Sequence, residues 1–181
     1  MRLFVAVEIP LDRRIATRDA VEPLRTALPR ARWVPLENWH VTVKFLGETT
    51  DEIAGRTADR LEEVSANVVA FTTNLTGLGA FPSPKAARVV WAGLDDRSGR
   101  MAVLALAVDA VLADAFAPST RPFTPHLTLA RADPPARLPA SFADVPVPGE
   151  PFSIGELVLF RSHPGPPAPR YEALARAAFR G

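Results

Sequence analysis

The chain contains no cysteine. That absence removes disulfides, thiolate nucleophiles and every cysteine-ligated zinc site. A charge excess is missing too: 21 Lys and Arg against 20 Asp and Glu leave a formal net charge of +1. A protein that holds nucleic acid by bulk electrostatics needs a strongly basic face, so any role on RNA must rest on a local site. No apolar run approaches the roughly 18 residues of a membrane span. The opening residues, MRLFVAVEIP, carry one Arg, a short apolar run, then Glu8 and Pro10. That suits a first strand better than a signal peptide. The expectation is a soluble, cytoplasmic protein with no membrane partner, monomeric for want of a distinctive interaction segment. Neither GxxxxGK[ST] nor GxGxxG occurs. Gly77-Leu78-Gly79 has no helix after it and reads as a turn at a strand end.

What is present is enough to fold. Hydrophobic residues make up 48% of 181, sufficient for a real interior in one domain or in two small lobes sharing a core. The 19 prolines punctuate the segments, and no Pro-rich stretch is long enough to be an interdomain linker. Residues 1–181 are therefore read as one unit.

Leu3 to Ile9 is a short apolar run suited to a strand buried on both faces. Ile15, Val21, Leu24 and Leu28 suggest a helix from Asp12 that Pro23 kinks or breaks and Pro29 stops. Val41, Val43 and Phe45 alternate with His40, Thr42 and Lys44, the period of a half-buried strand. That alternation predicts Phe45 in the core and Lys44 on the surface. Thr50 caps a second helix with Ile53, Thr57, Leu61 and Val64 on one face. Strands follow at Phe71 to Leu78 and Arg88 to Leu94, then a helix whose apolar stripe runs from Met101 to Ala115. Further strands fall at His126 to Ala130, Phe152 to Phe160 and Tyr171 to Ala177. This mixture predicts an α+β fold with antiparallel sheets.

Two of the three histidines sit in matching tripeptides, His40-Val41-Thr42 and His126-Leu127-Thr128. Side chains at i and i+2 share a strand face, so each tripeptide presents an imidazole beside a hydroxyl. Val41 and Leu127 point the other way and anchor each pair. Two such strands facing one cleft would supply phosphodiester chemistry without a metal. One neutral imidazole takes a proton from water and one imidazolium donates a proton to the leaving oxygen. The hydroxyls donate to non-bridging oxygens as charge builds there. Catalytic zinc normally takes three protein ligands, and neither His-x-Thr offers a second ligand at helical spacing. No metal or cofactor is expected.

The chain resembles the 2H phosphoesterases, and within them the bacterial and archaeal RNA 2′,3′-cyclic phosphodiesterases, also called 2′-5′ RNA ligases. The resemblance is carried by Arg2-Leu3-Phe4-Val5-Ala6-Val7-Glu8, by Arg32-Trp33-Val34 with Asn38-Trp39-His40-Val41-Thr42-Val43-Lys44-Phe45-Leu46-Gly47-Glu48, and by Phe123-Thr124-Pro125-His126-Leu127-Thr128-Leu129-Ala130-Arg131. It implies a bilobal fold, two similar antiparallel-sheet-plus-helix halves facing each other across a central cleft, within a single phosphoesterase domain spanning 1–181. His40 would be the general acid and His126 the general base, with Thr42 and Thr128 as phosphate ligands. Arg131 matches a position that contacts substrate, although strand parity from His126 sends it to the opposite face. The implied reaction hydrolyses RNA 2′,3′-cyclic phosphate ends to 2′-phosphate, with reversible 2′-5′ ligation as its counterpart. Its partner would be RNA with such an end, or a small cyclic nucleotide. Alternatives are action on other cyclic or 2′-5′ linked nucleotides, and a non-catalytic RNA-binding module. One stretch departs from the pattern: Ser162-His163-Pro164-Gly165-Pro166 replaces the usual Ser-x-Leu-Gly-Pro before Tyr171, with His163 read as a loop residue.

Overall fold

A computed structural model describes residues 1–181. The chain begins with β1 (Arg2–Glu8), α1 (Leu11–Ala20), α2 (Glu22–Ala27), β2 (Arg32–Trp33), β3 (His40–Glu48) and α3 (Asp51–Ser65). It continues with β4 (Phe71–Thr73), β5 (Leu75–Phe81), β6 (Ala87–Leu94), α4 (Arg100–Val111), β7 (His126–Ala136), β8 (Phe152–Ile154), β9 (Glu156–His163) and β10 (Arg170–Ala178). The fold is α+β. One antiparallel sheet runs β10-β9-β1-β3-β7-β6-β5, β2 adds to β7, and β4 pairs with β8 separately. The sheet divides into two similar halves, β10-β9-β1-β3 and β7-β6-β5. Between them β3 and β7 share one registered pair, Val41 opposite Leu127.

Local chemistry sets the element boundaries. Pro23 lacks an N–H and is accommodated in the first turn of α2, so the expected helix breaks in two at Val21. Thr50 Oγ1 accepts the Ile53 N–H at 3.3 Å and caps α3. Its Thr57, Leu61 and Val64 are buried as the spacing predicted. The N-terminus of α4 is closed by the Asp96 carboxylate, which accepts the N–H groups of Met101 and Ala102 at 2.8 and 2.9 Å. That helix ends at Val111, short of the stripe's predicted end, and buries Met101, Leu104 and Val108.

Several expected strands are shorter or longer than read. Phe71 to Leu78 splits into β4 and β5, and Phe152 to Phe160 splits at Gly155 into β8 and β9. Gly77-Leu78-Gly79 is not a strand-end turn but lies inside β5. The glycine is needed there because the Trp91 indole crosses it: a Cβ at Gly79 would stand 2.1 Å from the ring.

Both histidine strands carry a bulge at the same place. In β3, Lys44 faces Val5 while Thr42 faces Ala6, leaving Val43 as the extra residue. In β7, Ala130 faces Val90 while Thr128 faces Trp91, leaving Leu129 extra. An extra residue reverses the in/out alternation beyond it. Val43 and Lys44 are consequently both buried, as are Leu129 and Ala130. The expected surface position of Lys44 and core position of Phe45 are thus exchanged. Lys44 is 5% exposed and Phe45 is 72% exposed. The same reversal turns Arg131 onto the face of His126 and Thr128.

Candidate active site

Between the halves lies a cleft of about 680 Å³, whose lining includes His40, Thr42 and Phe45 from β3 and His126, Thr128 and Arg131 from β7. All five site residues read from the sequence meet in this one cavity. The two triplets occupy corresponding positions around the two bulges.

Each imidazole is fixed through the same atom. Nδ1–H of His40 donates to the Asn38 carbonyl at 2.7 Å, and Nδ1–H of His126 donates to the Thr124 carbonyl, also at 2.7 Å. A carbonyl can only accept, so Nδ1 carries the proton and Nε2 is left for chemistry. His40 Nε2 stands 3.1 Å from Thr42 Oγ1 on its own strand. The i, i+2 pairing expected from the tripeptide is realised as a direct contact.

The surroundings of the two rings differ. His40 stacks on Phe4 with centroids 4.7 Å apart and meets the edge of Tyr171 at 5.3 Å. His126 meets the edge of Phe81 at 5.2 Å, with Trp91 at 6.0 Å. Burial against these aromatic groups lowers the His40 pKa to about 4; the Asn38 bond and Glu8 oppose the fall, while Arg131 and His126 add to it. In the free protein His40 is neutral at neutral pH.

Sequence reasoning left several lining groups without a role. Phe4, Phe81, Ser162 and Tyr171 all face the cleft. Asn38 makes two separate links: its carbonyl holds His40, and its Nδ2–H donates to the Pro169 carbonyl at 2.6 Å, tying the rim loop to the histidine. The Asn38-Trp39-His40 run contained that signal, but only tertiary structure shows what Asn38 reaches. His163 is not a loop residue. It ends β9, and its Nε2 lies 2.6 Å from the Glu172 carboxylate on β10, outside the cleft lining. Nowhere do three or more His, Asp or Glu side chains converge as metal ligands would. No helix is long and apolar enough to cross a membrane.

Two sheet-and-helix halves, each offering one His-x-Thr pair to a shared cleft, make this a 2H phosphoesterase. More narrowly, residues 9–91 and 94–171 match the family model for LigT-like phosphoesterases. The chain belongs to that family. It is 38% identical over 124 residues to the RNA 2′,3′-cyclic phosphodiesterase of Aeropyrum pernix, covering 68% of each protein. It is 29% identical over 175 residues to the protein of that name from Geobacillus stearothermophilus, covering 95% of this chain. The chain spans about half of that relative's length, 55%. Among solved structures, a Thermus thermophilus protein superposes with a TM-score of 0.86 at 29% identity, covering 100% of this chain and 99% of that one. E. coli LigT complexed with 3′-AMP gives 0.82 at 27% identity, covering 98% and 97%.

Proposed function

We propose that this chain hydrolyses 2′,3′-cyclic phosphate ends of RNA, with His40 and His126 as paired acid and base. The observation that carries this reading is the matched geometry: two imidazoles, each locked through Nδ1 to a carbonyl, turn Nε2 toward one cleft. The relatives' shared name and the nucleotide held by E. coli LigT support the substrate class.

In the proposed reaction, His126 takes a proton from water as its oxygen attacks phosphorus. His40 gives a proton to the departing O3′, so the P–O3′ bond breaks and a 2′-phosphate remains. Thr42 and Thr128 donate hydrogen bonds to the non-bridging oxygens, and Arg131 balances their growing charge. With a 5′-hydroxyl attacking phosphorus in place of water, the same forward displacement breaks the P–O3′ bond and forms a 2′-5′ bond; its reverse, attack by O3′, cleaves that bond and restores the cyclic phosphate. His40 is neutral in the free protein, so the acid role requires the phosphate anion itself to raise the His40 pKa on binding.

The depressed His40 pKa favours a second reading, in which the labels are exchanged. A neutral His40 is ready to act as base, and His126 would then expel the other ribose oxygen. One digestion separates the readings. An oligonucleotide ending in a 2′,3′-cyclic phosphate is run beside a 2′-5′ dinucleotide, and products are compared with 2′- and 3′-phosphate standards. A 2′-phosphate supports the first assignment and a 3′-phosphate the second. Turnover of the dinucleotide alone would move the substrate class. Binding without turnover of either would make the chain an RNA-binding module.

A further inference from the structure

Behind the cleft, on the opposite face of β3, is a charged group that the acid–base chemistry leaves unused. The Lys44 side chain is 4% exposed, and its Nζ donates to an Asp109 carboxylate oxygen on α4 and to the Ala117 carbonyl at 2.9 Å. Asp109 also accepts the Ser119 N–H at 2.7 Å and the Ser119 hydroxyl at 3.2 Å. Burial alone would raise the Asp109 carboxyl, but the bonds from Lys44 and Ser119 outweigh it and hold it below the ordinary carboxylate range.

An ion pair is a poor way to fill this space. Burying two charges costs more than packing apolar groups of the same volume. The other half shows the cheaper solution, because the position after its bulge is Ala130, fully buried among Leu24, Val90 and Phe142. The charge must therefore be read by what it connects.

Lys44 lies two residues beyond Thr42 and four beyond His40. Its partners lie on α4 and on the segment from α4 to β7. That segment ends at Pro125, whose carbonyl accepts the Leu94 N–H of β6 at 3.2 Å, and the carbonyl of the preceding Thr124 holds His126. Between residues 117 and 123, the hydrogen bonds all go to Lys44 and Asp109. Directly between the two histidine strands there is one registered pair. The ion pair is thus a second link between the strand that carries His40 and the segment that delivers His126.

We propose that Lys44 and Asp109 are positioning residues, a strut under the cleft that sets His126 relative to His40. The proposal rests on the two-histidine reading above. In-line displacement needs both imidazoles aligned across phosphorus, so a loosened strut lowers kcat while the threonines of each half continue to bind phosphate.

The test is the double variant Lys44→Met/Asp109→Leu, which removes both charges together and keeps the volume apolar. We expect a melting temperature at or above that of the unaltered protein, kcat lower by about ten- to a hundredfold and KM changed by no more than about twofold. Lys44→Arg, which keeps the charge and a bond to Asp109, should retain most of the activity. A pair that only stabilises the fold would instead show normal kcat per folded molecule, and a folded double variant with normal kcat overturns the strut. If the double variant does not fold, Asp109→Asn carries the same test with the side-chain shape unchanged. Imidazole nitrogen NMR of His126, with and without inorganic phosphate, gives a readout independent of turnover. A signal unchanged by the double substitution also overturns the strut. Inactivity of the unaltered protein on cyclic phosphate would instead overturn the substrate reading.

Discussion

Side chain by side chain, the site joins two imidazoles with one kind of anchor and two kinds of surroundings. If they act as acid and base, His40→Ala and His126→Ala should each lower kcat/KM by about a hundredfold or more. Thr42→Ala and Thr128→Ala should cost less, since each removes one donor among several. Kinetics on the four purified variants checks the order, and near-normal turnover in either histidine variant would refute the assignment. The low His40 pKa has a separate consequence for stability. The folded pKa of about 4 lies below the ordinary 6.5, so the unfolded chain binds more protons between those values. Stability contributed by neutral His40 is complete above about pH 6.5 and is lost as pH falls toward 4. Denaturant midpoints at pH 7 and 4.5 should therefore lie closer together in His40→Asn than in the unaltered protein; an equal spread would contradict the buried, neutral His40. The four His and Thr positions were legible because i, i+2 parity holds over three residues. Phe45 and Lys44 were read on the wrong faces because the parity argument ran through a bulge that no residue type announces.

Among the elements, the paired bulges do most to shape the cleft. They let one strand present His, Thr and a residue five places after the His to the same cavity, which strict alternation forbids. Arg131 reaches the cleft for that reason, and Phe45 is its counterpart in the other half. The predicted helices survive with shifted ends because capping and proline chemistry are local. The run Phe71 to Leu78 divides into strands of two different sheets, which a continuous stretch of strand-forming residues conceals. Gly79 offers a test at this scale. Its missing Cβ makes room for Trp91, which lines up beside Phe81 and His126. Gly79→Ala should push the indole toward His126, lowering kcat and quenching or shifting Trp fluorescence. Normal kinetics with an unchanged emission spectrum would show that the indole is free to move elsewhere.

For the molecule as a whole, sequence order and spatial order differ in a way that local reading does not reveal. Leu24 and Leu28, which follow β1 of the first half, pack on Val90 and Ala130 of the second. Conversely, α4 follows β6 of the second half and sends Asp109 behind β3 of the first. The element sequence was enough for an antiparallel α+β fold; the exchange of helices depends on contacts distant in the chain. Protons and hydrogen bonds do the work a divalent ion would do in the proposed chemistry, so prolonged EDTA treatment should leave the rate unchanged. Loss of activity restored by zinc or manganese would contradict it.

The global charge sets one more measurable property. A formal net charge of +1 gives no global excess of positive charge to hold the body of an RNA strand. In the proposed reading, affinity comes from the few groups at the cleft, whose cationic side chains are Arg2 and Arg131. Each phosphate neutralised by a cationic side chain contributes about 0.7 to the slope of log affinity against log salt for single strands. One or two such contacts predict a slope of about 1, against the several units of a protein that follows the backbone over many nucleotides. KM measured across salt concentrations for a cyclic-phosphate dinucleotide and for a longer oligonucleotide should give two nearly parallel, shallow lines. Arg131→Gln should flatten both by about 0.7 while leaving their separation unchanged. A steep line for the longer substrate alone would reveal an extended contact surface beyond the cleft, and recognition would then involve much more than the terminal phosphate.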